Sequence, residues 1–177
     1  MPLSGLPAAA SSVALVVLVG ALLVIAKQFR SKTFAAFGVV HFTVATEDQL
    51  GLHHIFGPRA ASLIRSATSH TGWISAHAEA VGQLVFLTLL AAVGVAFVWA
   101  WERPKELIAI RARLVLTGLL FALYLFAGGV DFLGAMLPGK LWPIIEESGE
   151  RLVMTVSLAY VSGLVSVWFR RILKEDG

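Results

Sequence analysis

Along the chain, apolar positions gather into four long runs separated by short charged stretches. The runs are residues 8–26, 80–101, 114–136 and 152–169. About 20 apolar residues cover the ~30 Å hydrocarbon layer of a bilayer as a helix, so each run predicts a membrane span. The first run resembles a secretion signal in composition. Such a signal carries positive charge ahead of its apolar core, whereas Lys27, Arg30 and Lys32 follow this one. An uncleaved first span is expected.

A fifth stretch, residues 33–56, is harder to read. It opens with FAAFGVV and then places Glu47 beside Asp48 and His53 beside His54. Hydropathy alone argues against a crossing, and the flanking charge argues for one. Basic residues follow the first run, the 80–101 run (Arg103, Lys105, Arg111, Arg113) and the last run (Arg170, Arg171, Lys174). Lys and Arg concentrate in cytoplasmic loops, so all three segments are expected on that side. The chain must then cross once more between Lys27 and Glu79, and 33–56 is the apolar candidate.

The prediction is an all-α membrane bundle forming one transmembrane domain over 1–177. It has five spans, an outside N-terminus and a cytoplasmic C-terminus. The alternative is four spans, with 33–56 lying on the membrane and the first segment inverted or removed. In the five-span arrangement the inner side takes ten of the 14 Lys/Arg, and the outer side takes seven of the 11 acids. Residues 57–79 fall outside. There Gly57-Pro58 predicts a helix break. Ala60, Leu63, Ile64 and Ala67 recur at helical spacing, which predicts a short interfacial helix with Trp73 as its anchor. Residues 137–148 read as an acidic outer loop.

Composition supports this class. The chain has 177 residues, 58% hydrophobic and 14% charged, with a mean hydropathy of +0.82. Soluble domains carry about 25% charged residues, so a bilayer is the expected partner. The pI near 9.6 comes from clusters flanking apolar runs, which is a topology signal and no sign of nucleic-acid binding. With no cysteine, disulfides, thiolate metal sites and cysteine nucleophiles are excluded. HExxH, P-loop, GxSxG and dinucleotide fingerprints are all absent, and nothing assigns an enzyme activity.

Candidate chemistry lies at the outer boundary. Carboxylates inside a membrane are costly and are by default candidates for function. The first candidates for an ion, proton or metal site are Glu47, Asp48, His54, Asp131 and Glu150. The second set is His41, His53, His77, Glu79 and Glu146. Helical spacing puts Glu47 on one face with Thr43 and His54, Asp48 with His41, and Glu146 with Glu150. Converging carboxylates and imidazoles suit a divalent metal or a proton relay.

Plainer roles compete. Pro143 fits the first turn of a helix, where Glu146 and Glu147 would favour the dipole, and Glu147 and Arg151 are spaced for a surface pair. Glu79 at a helix start reads as interface, and His53, His54, His70 and His77 read as solvated. Tyr124 and Tyr160 read as packing. Gly128-Gly129 marks a bend or close approach, and Ala159-xxx-Gly163 marks a helix contact. Haem is disfavoured, because no second deep histidine opposes His41. The leading expectation is an accessory or scaffold subunit of a bacterial-type inner membrane, contacting other subunits or a second copy. The alternatives are a transport protein handling protons or divalent cations, and a membrane metalloenzyme or haem protein.

Overall fold

The computed structural model of the protein describes residues 6–67, 72–137 and 139–175, so His70 lies outside the described residues. Every regular element among these is helical. In order they are α1 (Leu6–Gln28), α2 (Lys32–Leu50), α3 (Leu52–Ala67), α4 (Trp73–Ala76), α5 (Ala78–Trp101) and α6 (Leu107–Tyr124). A π-helical turn, Leu125–Val130, joins α6 to α7 (Asp131–Met136), and α8 (Trp142–Glu175) closes the order. Three stretches are long and apolar enough to cross a membrane: Ala78–Trp101, Leu107–Met136 and Trp142–Val167. Val16–Gln28 and Lys32–Val44 are shorter apolar helical stretches.

The break in the 33–56 segment falls at a different residue from the one expected. Gly51 takes a left-handed conformation (φ 57°) and donates its N–H to Glu47 O. A residue without Cβ adopts that conformation without strain. Gly57-Pro58, the expected breaker, lies inside α3 instead. Gly57 is buried against α5 there, while Pro58 is exposed, so helix packing offsets the hydrogen bond that Pro58 cannot donate. Gly57 and Ala61 are the buried residues of α3, whereas Leu63 of the apolar stripe is 70% exposed.

The loop expected over 137–148 is shorter, because α8 starts at Trp142. Pro143 takes a position in the first turn, where its missing N–H costs nothing. The helix then runs without interruption through Glu146, Glu147 and the apolar run. Gly128-Gly129 lies in the π-helical turn, where an extra residue per turn locally redirects the helix.

Packing starts from the hairpin of α1 and α2. Leu18, Leu22 and Ile25 of α1 meet Phe34 and Phe37 of α2, and Ala112 and Leu116 of α6 and Val161 of α8 complete the main core. A smaller cluster of Leu123, Val153 and Met154 lies beyond it.

The closest helix contact is between α3 and α5. A methyl group built on Gly82 would lie 2.8 Å from Gly57 O and 2.9 Å from Ala60 Cβ. Gly57 with Ala61, and Ala78 with Gly82, are small residues spaced by four, the pattern that lets membrane helices approach closely. Ala159 and Gly163, the pair singled out in the sequence, are both exposed, and Gly163 has open space over its Cα.

Much of the remaining surface is apolar. Val16, Phe42, Leu63, Leu89, Val93, Phe121 and Leu152 are each at least 58% exposed. Such a surface is stable against lipid and unstable against water, which with the three long helices places the protein in association with a membrane.

Candidate functional site

The acidic end of the bundle is built around the end of α2. Glu47 is four residues from Gly51, and its side chain is buried, 7% exposed. The left-handed turn at Gly51 redirects the chain, so the next helix begins on a new face. That brings His53 to Glu47, where unbroken helical spacing would have brought His54. His53 Nδ1 lies 2.5 Å from Glu47 Oε1, and the His53 backbone N–H also donates to that oxygen at 3.2 Å. The carboxylate thus accepts two hydrogen bonds from the first turn of the next helix. The His54 ring packs against that of His53 at a tilt of 49° with centroids 3.9 Å apart, and its Nδ1 lies 3.4 Å from Gln83 Nε2 on α5.

Glu146 stands within electrostatic range of His53, and Asp131 within range of Glu146. Glu146, in the second turn of α8, interacts with the charges of Asp131, His53 and Glu147. Asp131 starts α7 directly after the π-helical turn and is half-buried. Glu47, His53, Asp131 and Glu146 therefore gather from α2, α3, α7 and α8. Glu150 is half-buried on α8. Glu147 pairs with Arg151 across one helical turn, as its spacing predicts.

Other sequence candidates lie elsewhere. Glu79 is exposed in the first turn of α5. His77 separates α4 from α5, beside Trp73, with ring centroids 5.1 Å apart. His41 is deep and 2% exposed, and its Nδ1–H donates to Phe37 O at 2.8 Å. That internal bond orients the ring within its own helix. Asp48 is carried by α2, but its side chain lies outside the described residues. Among the described residues, no three of His, Asp and Glu are arranged as ligands for one metal ion.

Glu47 also forms the polar end of a half-open apolar cavity of about 280 Å³, lined by α2, α5, α6 and the π-helical turn. Val40, Val44, Leu87, Leu90 and Leu123 line it. Tyr124 closes one side, its hydroxyl 2.7 Å from that of Thr88. Neither the π-helical turn nor the pairing partner of Glu47 could be read from spacing alone. The Gly128-Gly129 pair was the available signal for the first.

The opposite, basic end holds a polar junction that the sequence did not point to. Glu102, just past α5, turns its carboxylate onto the start of α2. Its Oε2 accepts from the Thr33 backbone N–H (2.7 Å), the Thr33 hydroxyl (3.0 Å) and the Ser31 hydroxyl (3.2 Å). Partial burial pushes the Glu102 pKa up. Hydrogen bonds from Thr33, Ser31 and the Lys32 backbone outweigh that and hold the carboxyl below its ordinary value. Arg113 stacks on Trp99, its Cζ 4.2 Å from the ring centroid, and donates to Glu102 O at 3.0 Å.

No family model, no curated protein and no solved structure matches this chain.

Proposed function

We propose that this protein handles protons at the Glu47–His53 pair, as a five-span protein of a bacterial-type inner membrane. The observation that carries the reading is the inward placement of Glu47, paired with an imidazole on the next helix. An acid facing outward at that depth would serve a partner subunit. One buried beside a histidine that is itself within electrostatic range of Glu146 serves exchange within the bundle. A proton shared between Glu47 Oε1 and His53 Nδ1 would pass next to Glu146 and from it to Asp131. Two converging ligands are too few to favour a divalent metal over a proton.

The crossing of 33–56 is part of this proposal. Thr33 lies beside Glu102, Val40 beside Gly94, and Glu47 shares a cavity with Leu87. This register runs α2 antiparallel to α5 over roughly 22 Å of the latter. A helix lying on the membrane surface could not keep that register with a spanning one. The basic ends of α1, α5 and α8 then face the cytoplasm.

The test is proton flux into liposomes holding the purified protein and a pH-sensitive dye, driven by a potassium diffusion potential. Wild-type flux should exceed that of empty liposomes, and Glu47→Gln should lower it at least tenfold while the protein remains folded. Flux no greater than in empty liposomes, or equal flux from the variant, would sink the reading. Topology is checked separately: a tag before Met1 should be reachable only from outside and one after Gly177 only from inside.

A second reading has its own observation. Gly20, Gly118 and Gly163 each face open space, so small-residue surfaces on α1, α6 and α8 are free to receive helices of another chain. This favours an accessory subunit, and co-purification of stoichiometric partners from native membranes is its test.

A further inference from the structure

At the basic end, the α1–α2 turn and the α5–α6 loop line a second, half-open cavity of about 250 Å³, of a different character from the first. Its wall carries Arg30, Arg103 and Lys105. None of the three makes an ion pair among the described residues. Two carboxylates share the wall, but Glu102 is engaged by Thr33 and Ser31 at the start of α2. Glu106 is exposed like the three cations, so three positive charges face two negative ones around the space. Beneath the charges lie apolar groups of Phe29, Phe34 and Ile108.

We propose that this cavity binds the phosphate headgroup of an anionic phospholipid, with the start of an acyl chain against Phe29 and Ile108.

Arg30 supplies an independent argument. It has a positive φ of 47°, the only non-glycine residue so placed among the described ones. The turn it makes is a helix-terminating motif: Ser31 N–H reaches back to Ala26 O at 3.1 Å and Arg30 N–H to Lys27 O at 3.4 Å. Glycine is the usual residue at that position, because a Cβ there is strained. Backbone geometry alone therefore favours glycine, and an arginine is accounted for by what its side chain does in the cavity. A guanidinium supplies paired donors to phosphate oxygens that a lysine cannot match. The apolar floor favours a lipid over free phosphate, which gains nothing from it. Basic pockets between helices at the cytoplasmic face suit anionic headgroups, and the charge pattern puts this end on that face.

The experiment uses the full protein in mild detergent, with native mass spectrometry and thermal unfolding. Phosphatidylglycerol, phosphatidylcholine and inorganic phosphate are the three probes. Phosphatidylglycerol should be retained and should raise the unfolding temperature, while phosphatidylcholine and inorganic phosphate should do neither. Arg30→Gly should unfold no lower than wild type in the absence of lipid, since it relieves the turn. It should nevertheless retain phosphatidylglycerol about fivefold less well, the factor expected for one cation near a membrane surface. Arg103→Gln should act in the same direction, and Arg111→Gln, outside the cavity, should not. Equal retention of phosphatidylcholine, stabilisation by inorganic phosphate alone, or an equal loss in Arg111→Gln would each overturn the proposal. Unchanged retention in Arg30→Gly would do the same.

Discussion

Removing the Glu102 carboxylate should loosen the start of α2 by an amount the structure lets one estimate. Ser31, the residue at the N-cap of α2, makes no cap bond of its own. Its hydroxyl points at Glu102, which accepts the Thr33 N–H in its place. A lost helix cap costs ~1 kcal/mol, and hydrogen bonds to a charged group are worth about 1.5–3 kcal/mol each when shielded. The carboxylate is only partly shielded, so Glu102→Ala should cost ~2 kcal/mol and Glu102→Gln, which keeps one acceptor oxygen, about half of that. The depressed pKa fixes the sign of the pH effect. The carboxylate contributes its full stability above pH ~4.3 and loses it as pH falls through the lower folded-state value.

The assay is unfolding in mixed detergent micelles, followed by tryptophan fluorescence at pH 7 and pH 3. Wild type should lose stability between the two, and Glu102→Gln should lose less. Thr33→Val combined with Glu102→Ala should be less damaging than the sum of the single changes, by at least 0.5 kcal/mol. Additive losses, or a wild-type pH slope retained in Glu102→Gln, would refute the capping role.

Three further outcomes follow from contacts described above. Gly82→Val would force atoms into Gly57 O and Ala60, with backbone on one side of the clash. It should cost at least ~2 kcal/mol, read in the same unfolding assay, while Gly163→Ala should be nearly neutral. Glu47→Gln and His53→Gln should each destabilise by about 1–3 kcal/mol, with a coupling energy of at least 0.5 kcal/mol in the double variant. Arg113→Lys loses the flat stacking surface over Trp99 and should cost about 0.5–1 kcal/mol, with a shift in tryptophan emission.

The sequence spoke most clearly where burial in lipid is the only demand. The 80–101 run became α5, starting two residues earlier, and Pro143 marked the true beginning of α8. It spoke less clearly where two features competed for one role. Gly57-Pro58 was the visible breaker, yet α2 ends at Gly51 and Gly57 packs against Gly82 inside α3, a contact that no local pattern reveals. The same shift decided which histidine met Glu47. Of the candidate acids and histidines, Glu47, His53, Asp131 and Glu146 gather at one end. Glu79, His77 and His41 are held by their own elements. Glu102 escaped notice because its partners lie 69 and 71 residues away.

That separation has a consequence for biogenesis. Chains emerge at about 5–20 residues per second, so the start of α2 waits roughly 3–14 s for the residue that caps it. During that interval the α1–α2 hairpin holds the uncapped amino end of a weakly apolar span. The insertion machinery must keep the hairpin from slipping back until α5 is complete. A ribosome stalled before Glu102 should leave α2 reachable from both sides of the membrane, and one stalled well after it should leave α2 locked.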